Sequence, residues 1–97
     1  MGDKQFVLVV YDISNDRRRT RLHDTLLDYG TPVQYSVFEC LVDEKELERM
    51  KRAVRRVIRP RVDHVRFYYL CAECVRRTEV TGSGADVSGE EPEAIVV

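Results

Sequence analysis

The pattern of apolar and polar residues begins with an uninterrupted apolar run at residues 6–10, Phe-Val-Leu-Val-Val. This run is short and rich in β-branched side chains, which is typical of a strand covered on both faces or nearly so. Tyr11 and Asp12 follow it at once, so we expect the strand to leave the core there. Strand ends often carry ligand-binding groups, because a rigid sheet aims them while the next loop leaves room for a substrate.

A helical pattern follows this strand. Three polar residues can cap its start: Ser14, Asn15 and Asp16. Its apolar side chains recur at i, i+4 and i+7, as Leu22, Leu26 and Tyr29, before Gly30. The pattern therefore predicts a first helix over residues 16–29.

Residues 32–42 are rich in β-forming side chains, but the segment is long for one strand. It predicts two strands with a break near Tyr35 and Ser36. Asp43 with Glu46 three residues later matches a capping box, which marks the start of a second helix. That helix ends before Pro60 and has one apolar stripe, formed by Leu47, Met50, Val54, Val57 and Ile58.

Two further strands are predicted, over residues 62–71 and 75–80. The order β-α-β-β-α-β with one added strand is that of an α+β, ferredoxin-like sandwich, in which two helices cover one face of an antiparallel sheet. Two helices cannot hide all the apolar and aromatic side chains of this sheet. We therefore expect a homodimer packed through the open sheet faces.

The 97 residues allow one domain, which we assign to residues 1–80. Residues 81–97 are rich in Gly, Ser and acidic side chains and predict a flexible tail. Its last four residues, 94–97, are β-prone. They could pair with a sheet edge, either of the same chain or of a partner, or remain frayed.

Charge is unevenly distributed along the chain. The tail holds four acidic residues and no Lys or Arg, which leaves +3 for residues 1–80 although the whole chain carries −1. Arg supplies 13 of the 16 cationic side chains, and Arg can bind phosphate through two parallel hydrogen bonds. The composition weakly favours a nucleic-acid partner over a merely solvated basic surface.

No signal-peptide pattern and no long apolar stretch is evident, so we expect a cytoplasmic protein without a membrane partner.

Cys71 and Cys74 form a lone CxxC motif, and Cys40 is remote in sequence. A zinc site needs four ligands, which only a distant Cys, His23 or His64 could complete. We therefore favour buried thiols and a turn over a metal or redox site. Neither histidine shows a partner pattern for general-base chemistry.

Four features occur in one order: Tyr11-Asp12-Ile13-Ser14 ending the first strand, a basic segment at residues 17–22, Gly30, and the segment at residues 33–39. Together they resemble the small CRISPR-associated endoribonuclease family of spacer acquisition, the second of the numbered Cas proteins. The resemblance extends over roughly residues 4–80. This chain has Pro32 where many relatives carry a basic residue, so one phosphate contact could be missing.

The resemblance implies a ferredoxin-like homodimer that acts as a metal-dependent endonuclease on RNA or double-stranded DNA and bridges two dimers of the CRISPR integrase. The family's catalytic, metal-binding aspartate corresponds to Asp12, one from each protomer. Two carboxylates about 5 Å apart repel by roughly 3 kcal/mol at an effective dielectric constant of about 20, so the pair must separate, share a proton or hold a cation. Mg²⁺ suits such a site.

The resemblance also places Tyr11, Arg19, Arg21 and Phe38 near the nucleic acid. Each has a structural alternative: core or dimer packing for the two aromatic rings, and solvated charges offset by nearby aspartates for the two arginines. Asp12 itself could be a turn or capping residue. A second basic tract, at residues 49–61, could follow a DNA backbone or be a solvated face.

Two functions remain open at this point. The first is the nuclease; the second is a non-catalytic, architectural dimer that holds duplex DNA for the integrase. An RNA-binding module of the same topology ranks last, because the expected pair of exposed stacking aromatics on central strands is missing.

Overall fold

Strand β1 (Gln5–Asp12) lies at the centre of a four-stranded sheet in the computed structural model, which describes residues 3–82 and 95–96. The further elements are α1 (Asp16–Leu26), β2 (Gly30–Gln34), β3 (Val37–Val42), α2 (Glu44–Val57), β4 (His64–Leu70), α3 (Ala72–Arg76), β5 (Glu79–Val80) and β6 (Ile95–Val96). The sheet order is β2-β3-β1-β4, and every neighbouring pair is antiparallel. The predicted α+β, ferredoxin-like fold is thereby confirmed.

The two faces of β1 have different environments because side chains alternate along a strand. Val7, Val9 and Tyr11 are buried in one core cluster with side chains of α1 and α2. Val10 and Asp12 face the other way, and Asp12 is exposed. Both long helices therefore cover one face of the sheet. On the other face, Phe6 is buried with Val75 of α3 and Val80 of β5, and the sheet from Leu8 to Asp12 stays uncovered.

Helix α1 starts as predicted and ends earlier. The side chain of Asn15 caps it by accepting the Arg18 backbone N–H at 2.9 Å. The helix ends at Leu26, three residues before the predicted end. Tyr29 still packs against the core, so the apolar spacing continues through a turn in which the Tyr29 N–H donates to the Leu26 carbonyl at 2.9 Å.

Helix α2 has the predicted capping box. The Glu46 N–H donates to the Asp43 carboxylate and the Asp43 N–H donates to the Glu46 carboxylate, both at 2.8 Å. Lys4 donates to the same Glu46 side chain at 2.8 Å, which ties the entrance of β1 to the start of α2. The predicted stripe is confirmed by four buried residues: Leu47, Met50, Val54 and Val57.

The strand predicted at residues 75–80 is wrong over most of its length. Residues 72–76 form the short helix α3, and only Glu79 and Val80 are extended. Val75 and Val80 both pack near Phe6, the first from helix α3 and the second from strand β5. Strand β5 lies outside the main sheet and pairs in parallel with β6.

Strand β6 is residues 95–96, within the β-prone end of the predicted tail, and it pairs with β5 of the same chain. Residues 94 and 97, and the rest of the tail from residue 83, lie outside the described residues. Among the described helices, none has the length and apolar character needed to cross a bilayer.

Gly30 begins β2 where two backbones approach closely. It pairs with Cys40 on β3, and a Cβ atom at position 30 would lie 2.4 Å from the Glu39 carbonyl oxygen and 2.5 Å from the Cys40 sulfur. Real Cβ atoms do not come that close to backbone. Glycine is therefore required here by space, beyond the helix-terminating role expected from the sequence.

A buried ion pair connects α1 to the loop before β4. Arg18 donates to both carboxylate oxygens of Asp63, at 2.8 and 3.1 Å, and the Arg59 N–H donates to one of them at 2.8 Å. The Asp63 side chain is fully buried, and the hydrogen bonds from Arg18 hold its pKa below the ordinary aspartate value. This bond fixes the loop from which β4 enters the sheet.

Gly30→Ala should destabilise the protein by about 1–3 kcal/mol, because β2 must move away from β3 to admit the methyl group. Chemical unfolding monitored by circular dichroism measures the difference. Asp28→Ala, at an exposed neighbouring position, should stay within about 0.5 kcal/mol of wild type. Equal stability of Gly30→Ala and wild type would show that the two strands are not in close contact.

Asp63→Asn should lower stability at pH 7 by about 2 kcal/mol, because it weakens charge-assisted hydrogen bonds in a buried site. The pKa of Asp63 is lowered in the folded state, so its contribution is present above the ordinary aspartate pKa and is lost as pH falls through the folded value. The difference in the free energy of unfolding between variant and wild type should therefore become smaller below about pH 4. Unfolding curves from pH 7 to pH 2.5 test this, with the exposed Asp28→Asn as control, and a pH-independent gap would contradict it.

Candidate metal and nucleic-acid site

Asp12 is the last residue of β1 and lies exposed on the open sheet face. Its Cα partner on the adjacent antiparallel strand is His64, the first residue of β4. A shallow groove of about 340 Å³ runs beside it, lined by Val10, Tyr11, Asp12, His64, Arg66 and Tyr68. A carboxylate, an imidazole, a guanidinium and a phenol are thus gathered at one end of the sheet.

Arg66 is the permanently charged group of this groove. It is exposed, and its Nη1 donates to the Tyr68 hydroxyl at 3.2 Å. That hydrogen bond also raises the pKa of Arg66. The bond orients the guanidinium along the open face, where it is suited to binding a phosphate oxygen.

Three members of this groove lie on β4 and were not predicted from the sequence: His64, Arg66 and Tyr68. They alternate along β4, so they share one face, and the antiparallel register places that face beside Asp12. The alternation was visible in the sequence. The pairing of β4 with β1, which gives His64 a carboxylate neighbour, was not visible there.

The donor atoms of Asp12 fit a magnesium ion. Carboxylate oxygens are hard ligands, and Mg²⁺ takes one or two of them while keeping several waters. Within residues 3–82 and 95–96, no three His, Cys, Asp or Glu side chains come together as a metal cluster. Asp12 is the one carboxylate among the residues that line this groove.

Arg19 lies on the opposite side of β1 from Asp12. Its guanidinium donates to the Ile13 carbonyl at 2.9 Å, pairs with the Asp16 carboxylate and stacks over the Tyr35 ring at 5.9 Å. The pKa of Arg19 is raised, mainly by the hydrogen bond with Asp16. In this structure Arg19 braces the loop that follows Asp12, and its donors are directed at the protein itself.

Arg21 is exposed, and no hydrogen bond or ion pair joins it to a described residue.

The two aromatic residues predicted to lie near nucleic acid are buried: Tyr11 is 3% exposed and Phe38 is fully buried. Phe38 packs edge-on against His23 with ring centroids 5.2 Å apart, and burial raises the pKa of Tyr11. In this structure both rings pack inside the protein. Phe38 has no exposed surface that could contact nucleic acid unless the core opens.

The sheet face at whose end Asp12 lies also carries apolar side chains. Six side chains form what we call the open face: Leu8, Val10, Val37, Leu41, Tyr68 and Leu70. None of the six is buried in the single chain; Leu41 is 40% exposed and Tyr68 is 43% exposed. Apolar side chains on a sheet face without a covering layer are typical of an interface.

The second basic tract follows the solvent side of α2. Six arginines of this tract are exposed: Arg49, Arg52, Arg55, Arg56, Arg59 and Arg61. Lys51 is partly engaged, with its ammonium 5.7 Å from the centre of the Tyr69 ring and 3.7 Å from the Glu48 carboxylate. The exposed members form a positive surface along α2 and the loop that follows it.

Sequence and structure comparisons agree on the relatives of this chain. The sequence model of the family described as CRISPR associated protein Cas2 matches residues 5–78. A Chloroflexus aurantiacus protein named CRISPR-associated endoribonuclease Cas2 3 is 40% identical over 81 residues, which are 84% of this chain and 87% of the relative.

Two solved structures have the same fold. Streptococcus pyogenes Cas2 superposes with a TM-score of 0.71 at 35% identity, covering 79% of this chain and 99% of that one. A chain of a structure described as a partial Cas6-RT-Cas1–Cas2 complex superposes with a TM-score of 0.66 at 26% identity, covering 76% of this chain and 87% of that one. The resemblance seen in the sequence is confirmed, and this chain belongs to the CRISPR-associated Cas2 family.

Proposed function

We propose that this protein is a Mg²⁺-dependent endonuclease of CRISPR spacer acquisition that cleaves RNA or double-stranded DNA as a homodimer. The observation that carries the proposal is the exposed Asp12 carboxylate at the end of the central strand, beside Arg66 and at the margin of the open face. The name of the Chloroflexus relative, an endoribonuclease, supports the reaction class.

The open face supports the homodimer. Both long helices lie on the other side of the sheet, so the apolar residues around Val10 have no covering layer within the chain. A second copy would bury this face and bring a second Asp12 to the same end of the interface. Two carboxylates held close together repel each other, and a bound cation offsets that repulsion.

In this proposal Asp12 of each protomer would hold Mg²⁺. When bound, the ion supplies a water of lowered pKa and positive charge for the phosphate. The chain itself supplies Arg66, which would donate hydrogen bonds to a phosphate oxygen, and Tyr68, which orients that guanidinium. Arg19 positions the loop after Asp12 by holding the Ile13 carbonyl. Hydrolysis then consists of attack by water at phosphorus and departure of one ester oxygen.

A second candidate function is the architectural dimer that holds duplex DNA for the integrase. It is favoured by the likeness to a chain of a complex whose name includes Cas1, and by the exposed arginines of α2. Such arginines would follow a phosphate backbone without recognising its sequence. In this case Asp12 would not be needed for binding.

Asp12→Asn should reduce Mg²⁺-stimulated cleavage on the order of 100-fold or more, because an amide is a poor ligand for a hard cation. Cleavage of labelled RNA and duplex DNA is measured with Mg²⁺ and with a chelator. The matched control is Asp28→Asn, at an exposed aspartate distant in sequence, which should cleave like wild type.

The same variants distinguish the two functions when binding to the CRISPR integrase is measured by gel filtration. Lost cleavage with normal integrase binding in Asp12→Asn supports the nuclease. Wild-type protein that binds the integrase but cleaves nothing supports the architectural dimer. Cleavage that persists in Asp12→Asn would remove Asp12 from the catalytic site.

Leu8→Arg should weaken self-association by about 100-fold, because it replaces an apolar side chain in the middle of the open face by a charged one that docking would remove from water. Sedimentation velocity across a concentration series measures the monomer–dimer equilibrium, with circular dichroism to show that the variant is folded. Leu27→Arg is the control, since Leu27 is 49% exposed after α1 and lies outside the open face. An unchanged equilibrium in Leu8→Arg would show that the dimer uses another surface.

A further inference from the structure

The CxxC motif at the end of β4 has a geometry that the expectation of buried thiols does not describe. Cys71 and Cys74 are both exposed, and their sulfur atoms lie 3.5 Å apart. Cys71 directly precedes α3, whose first turn brings Cys74 back beside it; the Val75 N–H donates to the Cys71 carbonyl at 3.1 Å. Both thiols can be reached from solvent, and they already face each other.

Cys40 is different in every respect relevant to reactivity. It is fully buried in the core on β3, and burial raises its pKa to about 11. A thiol with that pKa is almost entirely protonated near neutral pH and is a poor nucleophile. The expectation of a buried thiol is therefore right for Cys40 and wrong for the CxxC pair.

The two exposed thiols also differ from each other. The backbone N–H and the thiol of Cys74 lower the pKa of Cys71. The pKa of Cys74 is raised, first by its hydrogen bond with the Cys71 sulfur and then by the charge of that sulfur. Solvent exposure and the 3.5 Å separation of the two sulfur atoms allow the pair to close, and the lowered pKa makes Cys71 the attacking thiol.

A metal role within the chain has no support beside this pair. In the part of the chain that the structure describes, no third Cys, His, Asp or Glu completes a ligand cluster. The nearby Glu73 carboxylate is paired with Arg76. Two thiols without further ligands are better suited to thiol–disulfide exchange than to zinc.

We propose that Cys71 and Cys74 are a redox-active dithiol that closes reversibly to an intramolecular disulfide by exchange with a small-molecule disulfide. The Cys71 thiolate attacks one sulfur of the reagent and forms a mixed disulfide, releasing one thiol. The Cys74 thiolate then attacks the Cys71 sulfur and releases the second thiol. Two protein thiols are oxidised, one external disulfide is reduced to two thiols, and the two protons leave with them.

The disulfide would lie at a structural junction. Beyond it, the Thr78 hydroxyl donates to the Cys74 carbonyl at 3.0 Å, directly before β5. A groove of about 790 Å³ runs from Cys71 past Phe6 and Leu41 at the edge of the open face. Closing the dithiol would therefore fix the segment that joins the main sheet to β5. This proposal does not depend on Asp12 or on nuclease activity.

The test uses the full-length protein equilibrated with reduced and oxidised glutathione and then analysed by intact mass. We expect the mass to fall by two hydrogen atoms, two of the three thiols to disappear from a count made in denaturant, and a reducing agent to restore both. Peptide mapping should join residue 71 to residue 74. Protein that keeps three thiols throughout, or forms only disulfide-linked dimers, would overturn the proposal.

Two variants identify the role of each cysteine. Cys74→Ser should accumulate a stable glutathione adduct on Cys71, because no resolving thiol remains. Cys71→Ser should form its adduct on Cys74 at least about tenfold more slowly near neutral pH. Equal or reversed rates would overturn the assignment of Cys71 as the attacking thiol. Cys40→Ala, which removes the buried thiol, should leave disulfide formation unchanged.

Discussion

The alternation of side chains along β1 is the constraint on which the rest of the molecule depends. This strand has hydrogen-bonded neighbours on both edges, so its residues are committed to one face or the other. Val7, Val9 and Tyr11 anchor both helices, and Asp12 is thereby assigned to the open side. Moving the register by one residue would bury the carboxylate and expose the core. The position of the candidate site is thus a consequence of the packing of the helices.

Much of the architecture could be predicted from sequence because it depends on local signals. The capping box at Asp43 and Glu46, the α2 stripe and the break near Tyr35 each lie within a few residues of the chain. Asp12 was found because a polar residue ended an apolar run. The strand proposed at 75–80 failed because residues 72–76 form a short helix and only Glu79 and Val80 are extended; the two valines, five residues apart, do not fit a period of two.

The parts that could not be predicted depend on contacts between distant segments. His64 joins the Asp12 groove only through the pairing of β4 with β1. Arg19 looked like a phosphate ligand, but its neighbours across the loop, Ile13 and Tyr35, engage it. The three cysteines carry the same thiol, yet burial separates Cys40 from the CxxC pair. Residue type suggests a chemistry, and the tertiary environment decides whether that chemistry is accessible.

The ion pair between Arg18 and Asp63 also bears on the order in which the chain folds during its synthesis. Its partners are 45 residues apart, and they join the start of α1 to the loop that leads into β4. A nascent chain that has emerged only as far as α2 has β1 without one of its two neighbours and Arg18 without its carboxylate. The edge of β1 that will receive β4 is then free to pair with another strand. Completion of the groove beside Asp12 is therefore a late step, reached only after the ribosome has released residues 63–70.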